Sequence, residues 1–393
     1  MHLRDPASKP CDGAGRLASR LVGAVLLLAA AAPVTAQEGY LSEGEIDVDF
    51  LFNYYQQDGE RSPVTGGIGS EEMDVLSPVV AVTWRVNEDW TLTSDVGVDG
   101  ITSASVDAID NEVSSASRQD SRAFFTITGT KELSGDRTLS LITGFSNEYD
   151  YRSLMVGVGW SKELDQRNTT LSAQLRHYAD TIELYDIDGE VQGEDDRTST
   201  DVTLGVSQVL GPKTLLSAEL YHSRQSGYLG TPFHEVILQD GTHVTERLPE
   251  DRSRTALGVW LNHAFRPGLV GRLHYRFYDD DWGIRAHTVE LEPQFKISDR
   301  AWIFPILRFH SQTGTEYFGL PGTFVGNEDF FTADGDLADF TSEKYGLGYR
   351  TTFAPGRRGW TRRMRSFEVR GSFYSREDGL ESWSLGLAWG WRF

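Results

Sequence analysis

Charged and large apolar side chains alternate along a short segment in the second half of the chain. From Arg272 to Phe277, every second residue is Arg or His, and the residues between them are Leu, Tyr or Phe. A period of two places the two sets on opposite faces of a β-strand. Charged groups on the inner face of a closed sheet can bind small ions and set an electric field across a water-filled space. The residues assigned to that inner face are Asp47, Asp49, Arg272, His274, Arg276, Glu290, Glu292, Arg308, Lys344, Arg350, Glu368 and Arg370.

Two interpretations of these charges stay open at the level of sequence. They fill the interior and neutralise one another, or they line a path for solutes, and inward charge is expected in both cases. The arginines fall on late strands and would favour anions. Asp47 and Asp49, on the first strand, would then face them across the lumen and orient dipolar solutes.

A second group of carboxylates lies in an acidic segment that is predicted to be a loop. Asp186, Asp188 and Glu190 surround Gly189, and alternating acidic oxygens around a Gly could hold Ca²⁺. The fragment lacks the full spacing of a calcium loop and its final bidentate Glu. A solvated acidic loop is the alternative interpretation, and the sequence favours it.

Arginines are concentrated in one connection of a chain that is otherwise acidic. The segment 354–365 contains five of them and is predicted to be a periplasmic turn. Guanidinium groups there would bind phospholipid head groups or an acidic periplasmic partner. These residues are Arg357, Arg358, Arg362, Arg363 and Arg365.

Composition excludes several classes of chemistry. Cys11 is the only cysteine and would leave with the predicted signal segment, so no disulfide, thiolate metal site or covalent haem is expected. The nine histidines show no metal-site spacing, and no cofactor is expected. Ser, His and Asp near the rim would be present in any barrel, so an outer-membrane hydrolase is disfavoured and the chain is interpreted as a non-enzyme. The remaining residues carry 33 basic against 56 acidic groups, a formal charge of −23, which disfavours nucleic acid as a partner.

The elements that must position these residues begin after a secretory signal. Residues 1–36 contain four basic residues, an apolar run over 21–32 and a small-residue cleavage motif. That run is shorter than the roughly 20 residues that a spanning helix needs. We therefore expect a cleaved signal peptide over 1–36 and one outer-membrane β-barrel domain over 37–393.

The last twelve residues show the clearest strand pattern. Aromatic and aliphatic residues alternate with small or polar ones from Ser382 to the terminal Phe. Such a strand resembles the signal that the outer-membrane barrel assembly machinery recognises, with Trp389, Trp391 and Phe393 as its main residues.

The whole pattern predicts an all-β, antiparallel transmembrane barrel of about sixteen strands, with 14 to 18 admissible. Short connections rich in turn formers alternate with longer segments near 57–73, 98–120, 182–198, 227–251 and 314–341. An even number of strands leaves both termini in the periplasm. The length leaves no room for a plug domain, and the barrel is expected to be monomeric or trimeric.

Three segments resemble an uncharacterised outer-membrane family of Gram-negative bacteria, known only as a domain of unknown function. They are 114–122, 145–153 and 168–171. The resemblance implies a barrel without a known substrate or catalytic residue. It also implies an association with flavin-transfer and thioredoxin-like proteins, and hence an envelope redox role.

The functional expectation is a porin-like channel or conduit for small polar solutes. The alternative is a barrel scaffold for a periplasmic or redox partner in envelope electron transfer. The other expected partners are the lipid bilayer, lipopolysaccharide and the barrel assembly machinery.

Deleting Phe393 should reduce the amount of assembled barrel, because the terminal aromatic residue belongs to the predicted assembly signal. The measurement is the fraction of protein with heat-modifiable mobility. A normal fraction in the deletion variant would contradict the assignment.

Overall fold

Alternation of apolar and polar residues produces sixteen strands that close into one barrel. The computed structural model describes residues 41–103, 119–185, 191–354 and 363–393. The barrel strands are β1 (Ile46–Asp58), β2 (Met73–Arg85), β3 (Trp90–Ser103), β4 (Gln119–Leu133), β5 (Arg137–Asn147), β6 (Tyr151–Leu164), β7 (Thr169–Tyr185), β8 (Val191–Gly211), β9 (Thr214–Gly227), β12 (Asp251–Arg266), β13 (Leu269–Asp280), β14 (Arg285–Ser298), β15 (Ala301–Gln312), β16 (Phe340–Thr352), β17 (Met364–Arg376) and β18 (Glu381–Arg392). The predicted fold class and the count of sixteen are confirmed.

Closure depends on pairing between the first and last strands. Every barrel strand pairs antiparallel with its neighbour in the chain, and β1 pairs with β18 from Asp47 opposite Arg392 to Asp58 opposite Glu381. We call this β1–β18 pairing the seam. Ile46 and Phe393 exchange backbone hydrogen bonds of 3.0 and 2.8 Å at one end of it. We call the end of the barrel near these two residues the terminal end and the opposite end the loop end.

The two faces of the wall differ as the alternation predicts. Large apolar side chains such as Leu141, Leu273 and Leu347 are exposed on the outer surface. Trp84, Trp90 and Trp160 are also exposed there, at strand ends near the terminal end. Bands of aromatic residues at the edge of an apolar belt are typical of barrels that span a membrane. Among the described residues, no helix is long and apolar enough to cross a membrane.

The terminal-end connections that are described in full contain two to four residues, but the connections at the loop end vary in length. The loop-end connections 59–72, 228–250 and 313–339 are long, whereas 148–150, 281–284 and 377–380 are tight. These three tight connections lie outside the five long segments predicted from sequence, so the alternation of short and long connections does not extend around the whole barrel. The segment predicted as a loop over 182–198 is largely strand, because β7 and β8 continue as a paired ribbon up to residues 185 and 191.

The connection 228–250 contains a hairpin that the sequence analysis did not predict. Its strands are β10 (Glu235–Ile237) and β11 (His243–Thr245), which pair only with each other. The connection 313–339 contains a single 3-10 turn, Gly335–Leu337, which Asp334 caps through its side chain. Both connections therefore have a defined backbone structure.

Close packing on the inner wall is tightest around Phe304. Its side chain is fully buried, and the guanidinium of Arg370 lies 4.8 Å above its ring. A Cβ at Gly348, on the neighbouring strand, would lie 2.0 Å from Cε2 of that ring. Only a residue without a side chain fits at position 348.

Gly348→Ala should therefore destabilise the barrel by about 1–3 kcal/mol, the usual cost of inserting a methyl group into a packed site. The measurement is the temperature at which folded, heat-modifiable protein converts to the unfolded band. Gly371→Ala on β17 is the matched control, because its nearest neighbouring atom would be 4.0 Å away. Equal transition temperatures for the two variants would contradict this account of Phe304 packing.

Candidate functional site

The strand register brings most of the predicted inner-face residues together on one sector of the wall. Residues that oppose each other in an antiparallel pair point to the same face. Arg272 opposes Glu292, and His274 opposes Glu290. Glu290 in turn opposes Arg308, which opposes Lys344 on the next strand. The sector runs from β12 to β17.

Part of this sector is a network of directly paired charges. Glu292 is buried and accepts hydrogen bonds from Arg272 at 2.8 Å and from Arg370 at 3.1 Å. Arg370 also pairs with Glu368, which lies 3.9 Å from Arg350. We call Arg272, Glu292, Arg350, Glu368 and Arg370 the paired cluster. Each of its three arginines lies within 3.9 Å of one of its two glutamates, so the cluster stabilises the wall and retains a single excess positive charge.

Four other cations on the same sector have no such partner. Within the part of the chain that the structure describes, no ion pair or hydrogen bond is made by the side chains of Arg254, Arg276, Arg308 or Lys344. Nε of Arg254 is buried without a hydrogen-bond partner, and Arg276 lies 5.6 Å above the ring of Tyr278. We call these four residues the unpaired cations.

Arg254 was missed by the sequence analysis, although a signal for it exists. Leu257 is exposed on the outer face of β12, and alternation from it places the even-numbered residues of that strand inward. Arg254 indeed opposes Asp280 on the inner face of β13.

An aromatic stack lies beside the unpaired cations. His274 stacks on Trp260 with 4.5 Å between ring centroids and 7° between ring planes. Gly258 leaves room for the indole, because a Cβ there would lie 2.7 Å from Cη2 of Trp260. Nε2 of His274 is buried without a hydrogen-bond partner.

Asp47 and Asp49 do not provide the free negative wall that the sequence suggested. Asp47 accepts two hydrogen bonds of 2.8 Å from Arg392 across the seam. Asp49 accepts bonds of 2.7 and 2.9 Å from Arg365. Both carboxylates are therefore neutralised locally. Asp95 lies on β3, eight of sixteen strand positions from β13, and makes no ion pair or hydrogen bond among the described residues.

Arg363 and Arg365 are the described members of the predicted basic turn, and the position of Arg365 differs clearly from the expectation. It lies within β17, where the register shifts between Met364 and Ser366. This bulge turns its side chain inward to Asp49, rather than toward lipid head groups.

The remaining predicted residues are placed as follows. The guanidinium of Arg363 lies 4.8 Å above the ring of Phe393. Trp389 contacts Phe50 and Phe367 on the two neighbouring strands, with centroid distances of 5.5 and 5.7 Å. Trp391 opposes Val48 in the seam. The predictions for the signal segment and for Arg357, Arg358, Arg362, Asp186, Asp188 and Glu190 fall outside the described residues.

Three long connections meet over the mouth at the loop end. Val64, between β1 and β2, accepts a 2.9 Å backbone hydrogen bond from Glu235, between β9 and β12. These strand pairs lie eight positions apart in a ring of sixteen, so the contact joins opposite walls. We call the segments 59–72, 228–250 and 313–339 the loop cap.

The loop cap has an apolar core of its own. The connections 228–250 and 313–339 share a buried cluster, which consists of Val236, Leu238, Phe324, Phe331 and Ala333. A Cβ at Gly66 would lie 2.4 Å from the carbonyl oxygen of Ala333, so the third segment approaches this core backbone to backbone. The cap is thus a packed structure.

A buried carboxylate holds the polar centre of the cap. Glu246 accepts hydrogen bonds of 2.5 Å from the backbone of Thr231 and 2.6 Å from the hydroxyl of Thr332. Its carboxylate lies 3.5 Å from Nδ1 of His234. Burial alone would raise the pKa of Glu246, but the nearby His234 and these hydrogen bonds bring it below the usual range. No pattern in the sequence predicts this cluster.

Comparison with known proteins gives a family and no activity. A family model described as protein of unknown function (DUF3570) matches residues 18–190 and 185–387. No curated protein matches the chain.

Several solved structures are similar at low identity. The translocator domain of the autotransporter NalP from Neisseria meningitidis is 11% identical, with TM-score 0.39, over 94% of this chain and 96% of that one. A bacterial polysaccharide outer membrane secretin is 8% identical, with TM-score 0.46, over 90% and 100%. A BenF-like porin from Pseudomonas fluorescens Pf-5 is 9% identical, with TM-score 0.44, over 90% and 100%. Similarity at this level carries no information on substrate.

Glu246→Gln should loosen the loop cap, because it removes the charge that His234 and two hydrogen-bond donors stabilise. The pKa of Glu246 is lowered in the folded cap, so its contribution is present at neutral pH and is lost as pH falls through the folded pKa, below the ordinary glutamate value of about 4.3. The measurement is the rate of limited proteolysis within the cap at pH 7, which should rise about five- to thirtyfold for a loss of about 1–2 kcal/mol.

Glu250→Gln is the matched control, since Glu250 is exposed in the same connection. The heat-modifiable transition of the barrel should not change in either variant. Equal cleavage rates in the two variants would show that Glu246 does not hold the cap.

Proposed function

We propose, from the premise that this chain belongs to the DUF3570 family of unknown function, that it is a porin-like outer-membrane channel for small polar solutes. Its loop end would face outward and its terminal end would face the periplasm, in contact with the lipid bilayer and lipopolysaccharide. Its lumen would contain water, through which solutes diffuse. The protein would have no enzymatic role.

The unpaired cations carry this proposal. A charged side chain in a dry interior without a counter-ion is strongly unfavourable. Arg276 and Arg308 face the inside of the barrel and have no direct anionic partner among the described residues. Water in the lumen would solvate them, and a hydrated lumen within a closed barrel is the basic requirement for a diffusive channel.

The loop cap supports a restricted channel. Its segments join opposite walls through backbone hydrogen bonds, so it covers part of the opening at the loop end. A packed constriction limits the size of solutes, while charges on the wall determine which of them enter. We therefore propose passage of small solutes rather than of polymers or folded proteins.

The competing proposal is a scaffold for a periplasmic or redox partner. It would use the terminal end, and the lumen would then have no transport role. Conductance separates these two classes directly.

Purified barrel in planar bilayers should produce stepwise, ohmic current. A variant in which 236–244 is replaced by a short Gly-Ser linker should show a larger unit conductance, because part of the cap is removed from the mouth. A variant with the same linker in place of the described terminal-end turn 165–168 is the control and should conduct like the parent. If neither the parent nor the cap-shortened protein conducts, although both show heat-modifiable folding, the channel proposal is wrong and the scaffold is favoured.

A further inference from the structure

We propose that the unpaired cations form a binding site for small anions that carry carboxylate or phosphate oxygen atoms. This inference rests on the proposed function, since it names the class of solute that the lumen would take. Arg254, Arg276, Arg308 and Lys344 come from β12, β13, β15 and β16, so four strands contribute one cation each to the sector.

The strand register places the four cations one after another around this sector. Arg254 lies on the strand next to Arg276, four residues along from the residue that opposes Arg276. The row that contains Arg308 passes through Glu290 to His274, two residues from Arg276. Lys344 opposes Arg308 directly in the strand register and lies within its electrostatic range. Like charges repel one another, and no ion pair or hydrogen bond among the described residues offsets the repulsion between these cations.

Two carboxylates lie in the same region and leave the site positive. Glu290 opposes Arg308, and Glu219 lies within electrostatic range of Arg276. Neither carboxylate makes an ion pair among the described residues. The four cations outnumber these two carboxylates, so the region keeps an excess of positive charge that a small anion would offset.

Three other arginines on the inner wall each form an ion pair with a carboxylate. Arg252 pairs with Asp280 at 2.6 Å, and Arg376 pairs with Asp336 at 2.6 Å. Arg197 pairs with Asp180 at 3.0 Å. At these three positions the wall neutralises arginine through a direct ion pair. Arg176 on β7 resembles the unpaired cations instead, because it makes no ion pair among the described residues and its Nε is buried without a hydrogen-bond partner.

The side-chain types specify the ligand. A guanidinium presents two parallel N–H groups that match the two oxygens of a carboxylate or phosphate. An ammonium adds a point charge that accepts any oxygen geometry. A half-buried site strengthens both interactions relative to bulk water. Small carboxylates and phosphates therefore fit better than chloride, which cannot use the paired donors of one guanidinium.

Binding can be measured in detergent without any current. Citrate, titrated at constant ionic strength, should raise the unfolding temperature of the parent barrel, because a ligand that binds only the folded state stabilises it. Arg276→Gln with Arg308→Gln should weaken the apparent citrate affinity by about a hundredfold, about tenfold for each guanidinium that no longer binds the anion. The unfolding temperature of this double variant without citrate should stay level or rise, since repulsion is removed.

Two further variants separate the site from general charge effects. Arg152→Gln with Arg285→Gln removes the same charge from exposed positions on the outer face, and its citrate affinity should match the parent. Arg276→Lys with Arg308→Lys keeps the charge and should recover about half of the lost affinity on a logarithmic scale, because only the paired donors are missing.

The same proteins in bilayers then report selectivity. The reversal potential of the parent in a salt gradient should favour anions at low salt, and the Gln double variant should shift it toward cations. Parent protein without current but with citrate stabilisation that the Gln variant loses would overturn the channel and keep the anion site. If the parent conducts, but citrate raises the unfolding temperature equally in the parent, the Gln double variant and the outer-face variant, the anion site is overturned and the channel is kept.

Discussion

Pairing of every backbone hydrogen-bonding group is the constraint on which this structure depends. An open sheet in a lipid environment would leave a row of unpaired N–H and C=O groups along each edge, at several kcal/mol for each group. The seam between β1 and β18 removes both edges. Closure also fixes the register of all sixteen strands, and a slip of one residue would move every side chain of a strand to the opposite face.

Arginines on the inner wall are of two kinds, those that form an ion pair with a carboxylate and those that form none among the described residues. Arg272 and Arg370 share Glu292 and hold three strands together. Arg308 lies close by with the same chemistry and no ion pair among the described residues. A paired arginine contributes to the rigidity of the wall, while an unpaired one is an energetic cost that only solvent or solute can offset. In this sector the paired cluster stabilises the wall, while the unpaired cations are available to bind water or solute.

Local patterns made much of the fold predictable. Period-two alternation placed residues such as Arg272 and Lys344 on the inner face, and short turns separated the strands well enough to give a count of sixteen. The pairing of charges was less accessible, because Arg370 meets Glu292 across 78 residues of sequence. The orientation of Arg365 depends on a bulge, which reverses the alternation without any change in composition.

The loop cap was the largest feature that the sequence did not reveal. Its core residues, among them Val236 and Phe331, belong to different connections and show no periodicity that would join them. Glu246 carries no signal of burial in its neighbourhood along the chain, since its partners His234 and Thr332 come from other parts of the cap. Loops that fold against one another are specified by contacts between segments, which no local window contains.

The seam also bears on the order of events during biogenesis. Asp47 and Arg392 are 345 residues apart, so their ion pair closes the longest loop among the ion pairs of the described residues. The chain must lose the conformational entropy of closing this loop before the ion pair can form. Until then β1 is an edge strand, and its carboxylates disfavour partners that cannot supply a cation. The pairing that closes the barrel is therefore also the one that brings Arg392 to Asp47. A nascent chain that stops before Arg392 keeps unpaired backbone N–H and C=O groups along β1.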